Sequence, residues 1–150
     1  HPISALQTEY SLWTREVEQD ILPTIRRLNI GFVAYSPLGR GFLSGAIRSR
    51  SDLEPGDWRR NNPRFTEEAI AENSRLAVVV TAIATAIEAT PAQVVLAWLL
   101  SRDVPLATIP GTRKIARLEE NWASQDVQLS KAHLDQLDSL IQQGVKGNRY

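Results

Sequence analysis

The chain has 150 residues, 43% hydrophobic and 23% charged, the ordinary composition of a globular domain with its own core. Its 17 basic and 17 acidic residues give a formal net charge of zero, so neither nucleic acid nor a membrane is expected as a partner. Cysteine is absent, which excludes disulfides and is compatible with a cytoplasmic location. The sequence starts at His1 and contains no methionine, so we expect a segment of a longer protein.

The beginning of the chain predicts a strand with a polar face. Residues 3–12 alternate loosely between apolar and polar side chains, which places Gln7 and Glu9 on the same face. Two polar side chains on one face of a buried strand indicate a face that meets a ligand or a polar centre.

A helix is predicted over residues 16–29, because apolar side chains recur there at helical spacing. They are Val17, Ile21, Ile25 and Leu28. Pro23 belongs in the first turn of a helix, so the regular part is expected to begin near Ile21. Gly31 stands where a helix-ending glycine is typical. A strand at residues 32–36 follows, and a β–α–β unit implies a parallel strand pair with a right-handed crossover.

Residues 31–45 read GFVAYSPLGRGFLSG, a short buried strand that opens into a glycine-rich loop. Glycine lets the backbone approach a ligand closely, and a row of exposed N–H groups can hold an anion. The loop lacks the lysine and hydroxyl ending of a P-loop and the G-x-G-x-x-G order of dinucleotide folds. The residues alone indicate either an ordinary turn or an anion-holding loop beside Tyr35, whose ring could stack on a flat ligand.

The next segment, residues 46–63, is long, polar and rich in arginine. Loops of this length are uncommon unless they are lids or disordered. Two interpretations are open, a solvated surface loop and a mobile flap over the glycine-rich loop, because the segment begins directly after that loop.

More helices and a third strand are expected in the remainder. Thr66 caps a short helix, and a strongly apolar helix follows at residues 73–89. A Thr-Pro pair opens the next helix, residues 92–101, in which Trp98 is expected to lie in the core. The third strand is expected at residues 106–109. We find no run of about 18 apolar residues, so no membrane-spanning helix is expected.

Two helices are predicted in the C-terminal part. Leu118 and Trp122 are four residues apart and are expected on the inner face of a helix at residues 112–123. A serine-capped last helix covers residues 131–143, and residues 144–150 are expected to form a tail.

A second candidate ligand site begins at the sequence PGTRK, residues 110–114. A helix that starts near Thr112 can bind an anion at its N-terminus. Arg113 and Arg117 lie one helical turn apart, so both can reach the same ligand. The same helix carries two further polar side chains, Glu120 and Asn121. This set could hold a phosphate at one end and a base at the other, and an ordinary solvated helix face is the alternative.

Five motifs in one order and spacing resemble the aldo-keto reductase family over the whole chain. They are QTEYSLW at residues 7–13, AYSPLGRG at 34–41, PRF at 63–65, AQVVLAWL at 92–99 and IPGTRKIARLEEN at 109–121. The chain is most similar to the bacterial and plant reductases with the IPGT motif and a long arginine-containing insert. The resemblance implies an α/β fold, with residues 1–150 as strands six to eight and their helices in a (β/α)8 TIM barrel.

The resemblance also implies that this part is the cofactor-binding half and that the cofactor is NADP(H). Gln7 would hold the nicotinamide carboxamide, and Tyr35 would stack on the nicotinamide ring. The pyrophosphate would be held by Ser36, Leu38, Gly39, Arg40 and Gly41. The 2′-phosphate end would be held by Gly111, Thr112, Arg113 and Arg117, with the adenine against Glu120 and Asn121. Many members have a lysine at the Gly111 position, so Arg113 and Arg117 must supply the positive charge here.

The catalytic Asp, Tyr, Lys and His of the family belong to its first four strands, and none of those positions lies in this sequence. No catalytic residue is therefore assigned. No metal site is expected either, because the sequence has no pair of histidines with a carboxylate at ligand spacing. We expect the NADP(H)-binding half of an enzyme that transfers a hydride between NADPH and an aldehyde or ketone, with Trp13 lining the substrate pocket. The alternatives are a nucleotide-binding module without catalysis and an inactive truncated fragment.

An open half-barrel leaves parallel strand edges unpaired and apolar. We therefore expect two kinds of partner. One is a small carbonyl substrate, and the other is the missing N-terminal half of the barrel or another copy of the chain.

Overall fold

Three parallel strands form the centre of the molecule in the computed structural model, which describes residues 1–142 and 144–149. They are β1 (Ala5–Glu9), β2 (Gly31–Tyr35) and β3 (Leu106–Ile109), hydrogen-bonded in the order β1-β2-β3. The register places Glu9 beside Tyr35 and Tyr35 beside Ile109, so all three carboxyl ends lie at one edge. The predicted parallel arrangement and third strand are confirmed, while β1 is shorter than predicted.

Five α-helices lie in the described part of the chain: α1 (Ile21–Leu28), α2 (Glu67–Ala86), α3 (Pro91–Leu100), α4 (Ile115–Trp122) and α5 (Lys131–Ser139). The predicted pair of helices after Thr66 is wrong, because α2 is continuous. Thr66, Thr90 and Ser130 cap α2, α3 and α5, each through a hydroxyl that accepts a backbone N–H of the first turn. The predicted end of the last helix, Gln143, lies outside the described residues.

The boundaries of α1 depend on two residues. Pro23 sits in the first turn, where its missing N–H costs no helical hydrogen bond, and the helix begins at Ile21 as predicted. Asn29 follows the last turn in the left-handed conformation, with φ of 52°. The prediction that Gly31 ends the helix is wrong, because Asn29 takes that conformation and Gly31 is the first residue of β2.

The polar segment 46–63 is packed against its neighbours. It contains short 3-10 turns at Arg50–Asp52 and Trp58–Asn61, and a third follows at Pro63–Phe65. Ile47 and Leu53 are buried, and Arg59 donates a hydrogen bond of 2.7 Å to the carbonyl of Arg40. The segment therefore lies against the glycine-rich loop, and its motion as a flap stays a prediction.

The core fills the helix-facing side of the sheet. Phe32 of β2 is buried there, and Trp98 of α3 is fully buried, as predicted. The Trp98 indole N–H donates to the carboxylate of Asp138 at 2.9 Å, and the guanidinium carbons of Arg15 and Arg102 lie 5.0 and 4.4 Å from the indole centroid. Burial of a side chain of this size stabilises the fold by roughly 5 kcal/mol. Trp98 therefore holds α3 and the end of α5 together.

The end of the sheet at β3 is open and apolar. Ile109, Leu118 and Trp122 have exposed fractions of 46%, 60% and 73%, and Ile115 is exposed beside them. These four residues form what we call the β3–α4 face, and a groove of about 730 Å³ runs along it. The prediction that Leu118 and Trp122 face the core is wrong, because no described element covers this side of α4. The outer edges of β1 and β3 have no strand partner within the described residues.

Helix α2 has 20 residues and is apolar enough to cross a membrane by length and composition alone. One side of this helix packs into the core, where Leu76, Val80 and Ile83 are buried. The core therefore accounts for the apolar residues on that side.

Candidate functional site

Three loops meet at the carboxyl edge of the sheet, one after each strand. They are residues 10–15 after β1, residues 36–45 after β2 (the glycine loop), and residues 110–114 after β3. Ligands of α/β proteins bind outside the carboxyl ends of parallel strands. The predicted site residues all belong to these loops, to α4, or to the strands β1 and β2.

The glycine loop has a backbone that few sequences could adopt. Five of its residues have positive φ: Ser36, Gly39, Arg40, Gly41 and Gly45. The N–H groups of Gly39 and Gly41 donate to carbonyls inside the loop at 2.9 and 3.1 Å, so these two amides are engaged in the turn itself. Such a strained conformation persists only where the surroundings fix it.

The indole of Trp13 is one of the groups that fix the conformation of the glycine loop. It lies so close under Gly39 that an added Cβ would be 2.9 Å from two indole atoms. Trp13 is 2% exposed and is stacked on Phe42 with the ring centroids 4.7 Å apart. Trp13 is predicted to line a substrate pocket. In the structure it lies mostly in the core. It also lines a cavity of about 390 Å³ together with Arg64 and Arg149.

The second predicted cluster and the glycine loop share a small cavity of about 190 Å³. The predicted residues that line it are Leu38, Gly111, Thr112, Arg117, Glu120 and Asn121. Arg117 donates to the Glu120 carboxylate at 2.6 Å, which holds its guanidinium at the rim. Arg113 is exposed and is not among the lining residues. The structure therefore brings together two segments that lie about 70 residues apart in the chain.

The open face of the sheet carries the other predicted end of the site. Gln7 and Tyr35 lie on the same face, because Glu9 pairs with Tyr35 and Gln7 is two residues before Glu9. The Tyr35 hydroxyl accepts a hydrogen bond of 2.5 Å from Arg149, whose guanidinium carbon is 5.7 Å from the ring centroid. A cation therefore already lies at the Tyr35 ring.

Glu9 lies at the centre of this site, although the sequence indicated only that Glu9 and Gln7 share a polar strand face and gave Glu9 no role of its own. Its side chain is 0% exposed and accepts hydrogen bonds from Arg40 at 3.1 Å, from Arg149 at 2.8 Å and from the Thr14 hydroxyl at 3.0 Å. Arg64 lies 3.9 Å away, and burial lowers the pKa of its guanidinium. We call these five residues the Glu9 cluster. Its three arginines come from three separate segments of the chain.

Residues 144–149 form a strap rather than the predicted tail; Tyr150 lies outside the described residues. The buried Asn73 side chain exchanges two hydrogen bonds with the backbone of Lys146, at 2.9 and 3.0 Å. Gly147 has φ of +90°, and a Cβ there would be 2.6 Å from the carbonyl oxygen of Pro63. The Asn62 side chain of the insert donates to the Arg149 carbonyl at 3.2 Å, so side chains from the insert and from α2 hold the strap in place and position Arg149 beside Glu9.

A buried tyrosine lies next to the site on the helix side of β1. The Tyr10 hydroxyl donates to Glu18 at 2.6 Å. Burial, together with this hydrogen bond and the charge of Glu18, raises the pKa of Tyr10 well above its usual range. Tyr10 therefore stays protonated in the folded protein and acts as a structural donor.

A parallel three-stranded sheet with helices packed on it and loops at its carboxyl edge is part of an α/β fold. The glycerol dehydrogenase of Gluconobacter oxydans has the same fold, with a TM-score of 0.83 at 22% identity over 100% of this chain and 46% of that one. A thermostable aldo-keto reductase crystallised with the inhibitor epalrestat superposes with a TM-score of 0.63 at 27% identity, over 89% of this chain and 38% of its own. These neighbours are TIM-barrel enzymes.

The sequence comparisons agree. The profile of the aldo/keto reductase family matches residues 1–142. A relative named aldo-keto reductase yakc [NADP(+)], from Schizosaccharomyces pombe, is 40% identical over 100% of this chain and 45% of its own length. The chain belongs to the aldo/keto reductase family, and it spans about half the length of the relatives that it matches.

Proposed function

We propose that this chain is the NADP(H)-binding part of an aldo-keto reductase that transfers a hydride between NADPH and an aldehyde or ketone. The observation that carries the proposal is the cavity shared by Leu38 of the glycine loop and the polar side chains of α4. The yakc relative has NADP(+) in its name, which supports this choice of cofactor. We further propose that the parent protein belongs to the subgroup of bacterial and plant reductases that carries the IPGT motif.

The cavity that joins the glycine loop to Thr112 and Arg117 supports a dinucleotide with a 2′-phosphate. In our proposal Gln7 and Tyr35 hold the nicotinamide, and Ser36, Leu38, Gly39, Arg40 and Gly41 surround the pyrophosphate. Thr112, Arg113 and Arg117 hold the 2′-phosphate at Gly111, where an added Cβ would have no atom within 4 Å. Glu120 and Asn121 take the adenine. NADPH, when bound, supplies the hydride, and the residues of this chain bind and orient it.

The catalytic residues and the rest of the barrel are proposed to lie outside this chain. The β3–α4 face and the unpaired edge of β3 are the surfaces that an N-terminal half, or a second copy, would cover. A carbonyl substrate would enter beside the edge of Trp13, in the cavity that also contains Arg149. A cytoplasmic location completes the proposal.

The experiment is a fluorescence titration of the chain with NADPH and with NADH. Arg117→Ala, alone and together with Arg113→Ala, should raise the dissociation constant of NADPH by about tenfold or more and leave that of NADH nearly unchanged. The control is Lys131→Ala, which removes an exposed ion pair with Asp135, and neither residue lines the cavity. An equal loss for both cofactors would contradict the 2′-phosphate assignment. Binding without carbonyl reduction, even beside the missing half, would favour the non-catalytic module.

A further inference from the structure

We propose that Glu9 is a positioning residue for the cofactor site, and that it joins the strap to the glycine loop so that both are needed to hold the pyrophosphate part of NADP(H). This inference rests on the proposed function. It gives a role to Glu9 and Arg149, which the family resemblance did not assign.

A single carboxylate oxygen makes the connection. Oε2 of Glu9 accepts from Nη2 of Arg40 at 3.1 Å and from Nε of Arg149 at 2.8 Å. The other oxygen, Oε1, accepts from the Thr14 hydroxyl, which in turn accepts from Arg64 at 2.6 Å. The carboxylate is fully buried, so these charge-assisted hydrogen bonds are not weakened by water. The glycine loop and the strap therefore meet at one atom.

The glycine loop needs such a support. Arg40 has a left-handed backbone, with φ of 57°, although it is not a glycine. Its side chain is nearly buried and ends at Glu9, and its carbonyl is held by Arg59. Without the charge of Glu9, the nearly buried guanidinium loses its carboxylate partner, keeps neutral acceptors such as the Arg149 carbonyl at 3.3 Å, and is expected to move toward water. The backbone of the loop would then move with it.

The strap needs the same support at its other end. Asn73 fixes it at Lys146, and Arg149 fixes it at Glu9 and at the Tyr35 hydroxyl. Arg149 thereby connects Glu9 to the ring on which the nicotinamide is proposed to stack. Loss of the Arg149 guanidinium would remove the side-chain link between the strap and Glu9, and the backbone contact of Asn62 with the Arg149 carbonyl would remain.

The test compares two ligands that touch different parts of the site. NADPH contains the nicotinamide, the pyrophosphate and the adenosine 2′-phosphate. Adenosine 2′,5′-bisphosphate lacks the nicotinamide and would fit only the cavity at residues 111–121. Glu9→Gln and Arg149→Gln are expected to raise the dissociation constant of NADPH by about tenfold and that of the bisphosphate by less than about twofold. Asp135→Asn, which removes an exposed ion pair, serves as the matched control and should change neither.

The pattern of results separates a positioning role from a general structural one. Equal weakening of both ligands, in step with a loss of stability in urea, would show that Glu9 only holds the fold together. Unchanged or tighter NADPH binding in Glu9→Gln would show that Glu9 instead competes with the pyrophosphate for Arg40. Either result overturns the proposal. If Glu9→Gln does not fold, Arg149→Gln decides, because its side chain is 31% exposed and its loss buries no new charge. If the unchanged chain binds neither ligand, the proposed function itself fails.

Discussion

Replacing Gly39 by alanine tests whether the contact with Trp13 shapes the glycine loop. Gly39 has φ of +57°, and an added Cβ would lie 2.9 Å from Cε2 and Nε1 of Trp13. A side chain in the left-handed region costs about 1–2 kcal/mol. Overpacking a buried contact adds about 1–3 kcal/mol. Since Trp13 is stacked on Phe42 and cannot turn away, we expect Gly39→Ala to lower the free energy of unfolding by about 2–5 kcal/mol.

The assay is urea unfolding followed by tryptophan fluorescence. Gly45→Ala is the matched control, because Gly45 has φ of +75° with nothing within 4 Å of an added Cβ, so only backbone strain remains. Gly56→Ala has neither strain nor a neighbour and should lie within about 0.5 kcal/mol of the unchanged chain. The reasoning is refuted if Gly39→Ala loses no more stability than Gly45→Ala.

Three further predictions address other parts of the molecule. Asn73→Ala removes both hydrogen bonds to Lys146 and should lower the free energy of unfolding by about 2–4 kcal/mol. Limited proteolysis should then cut the strap faster. An unchanged cleavage rate would contradict this prediction. Because the folded state raises the pKa of Tyr10 above 10.0, the unfolded chain releases that proton first, and stability should fall above about pH 10 by up to about 1.4 kcal/mol per pH unit. Urea unfolding across that range checks the slope, which Tyr10→Phe should reduce. Leu118→Lys with Trp122→Lys should lower self-association in sedimentation experiments, and unchanged association would exclude the β3–α4 face as the contact surface.

Local patterns predicted the elements that depend on neighbouring residues. Thr90 and Pro91 start α3 because a cap and its N–H partner are only three residues apart. The end of α1 was harder, since Asn29 and Gly31 can both take a left-handed conformation. The apolar residues of α4 were identified correctly, but periodicity only shows which face is apolar. It does not show whether another element covers that face, and for Leu118 and Trp122 none of the described residues does.

Some residues of the candidate site could likewise be predicted from the sequence, and others could not. The family motifs brought Leu38 and Arg117 into the prediction, and the structure places both at one cavity. The Glu9 cluster could not be found from spacing, because Glu9 and Arg149 are separated by 140 positions. The alternation of Gln7 and Glu9 gave the one available signal, a polar strand face. Nothing in residues 144–149 indicated a strap, since Asn73 recognises backbone atoms that any sequence would present.

The separation of Glu9 from Arg149 also bears on how the molecule forms. A chain is synthesised from its N-terminus, and contacts between distant positions close later than local ones because ordering the intervening loop costs entropy. Glu9 therefore meets Arg149 only after the chain has been extended by 140 positions beyond it. The sheet, the helix caps and the core would therefore form before the candidate site is complete. Ligand affinity should accordingly develop as the slowest phase of refolding, after the fluorescence of Trp98 has reached its native value.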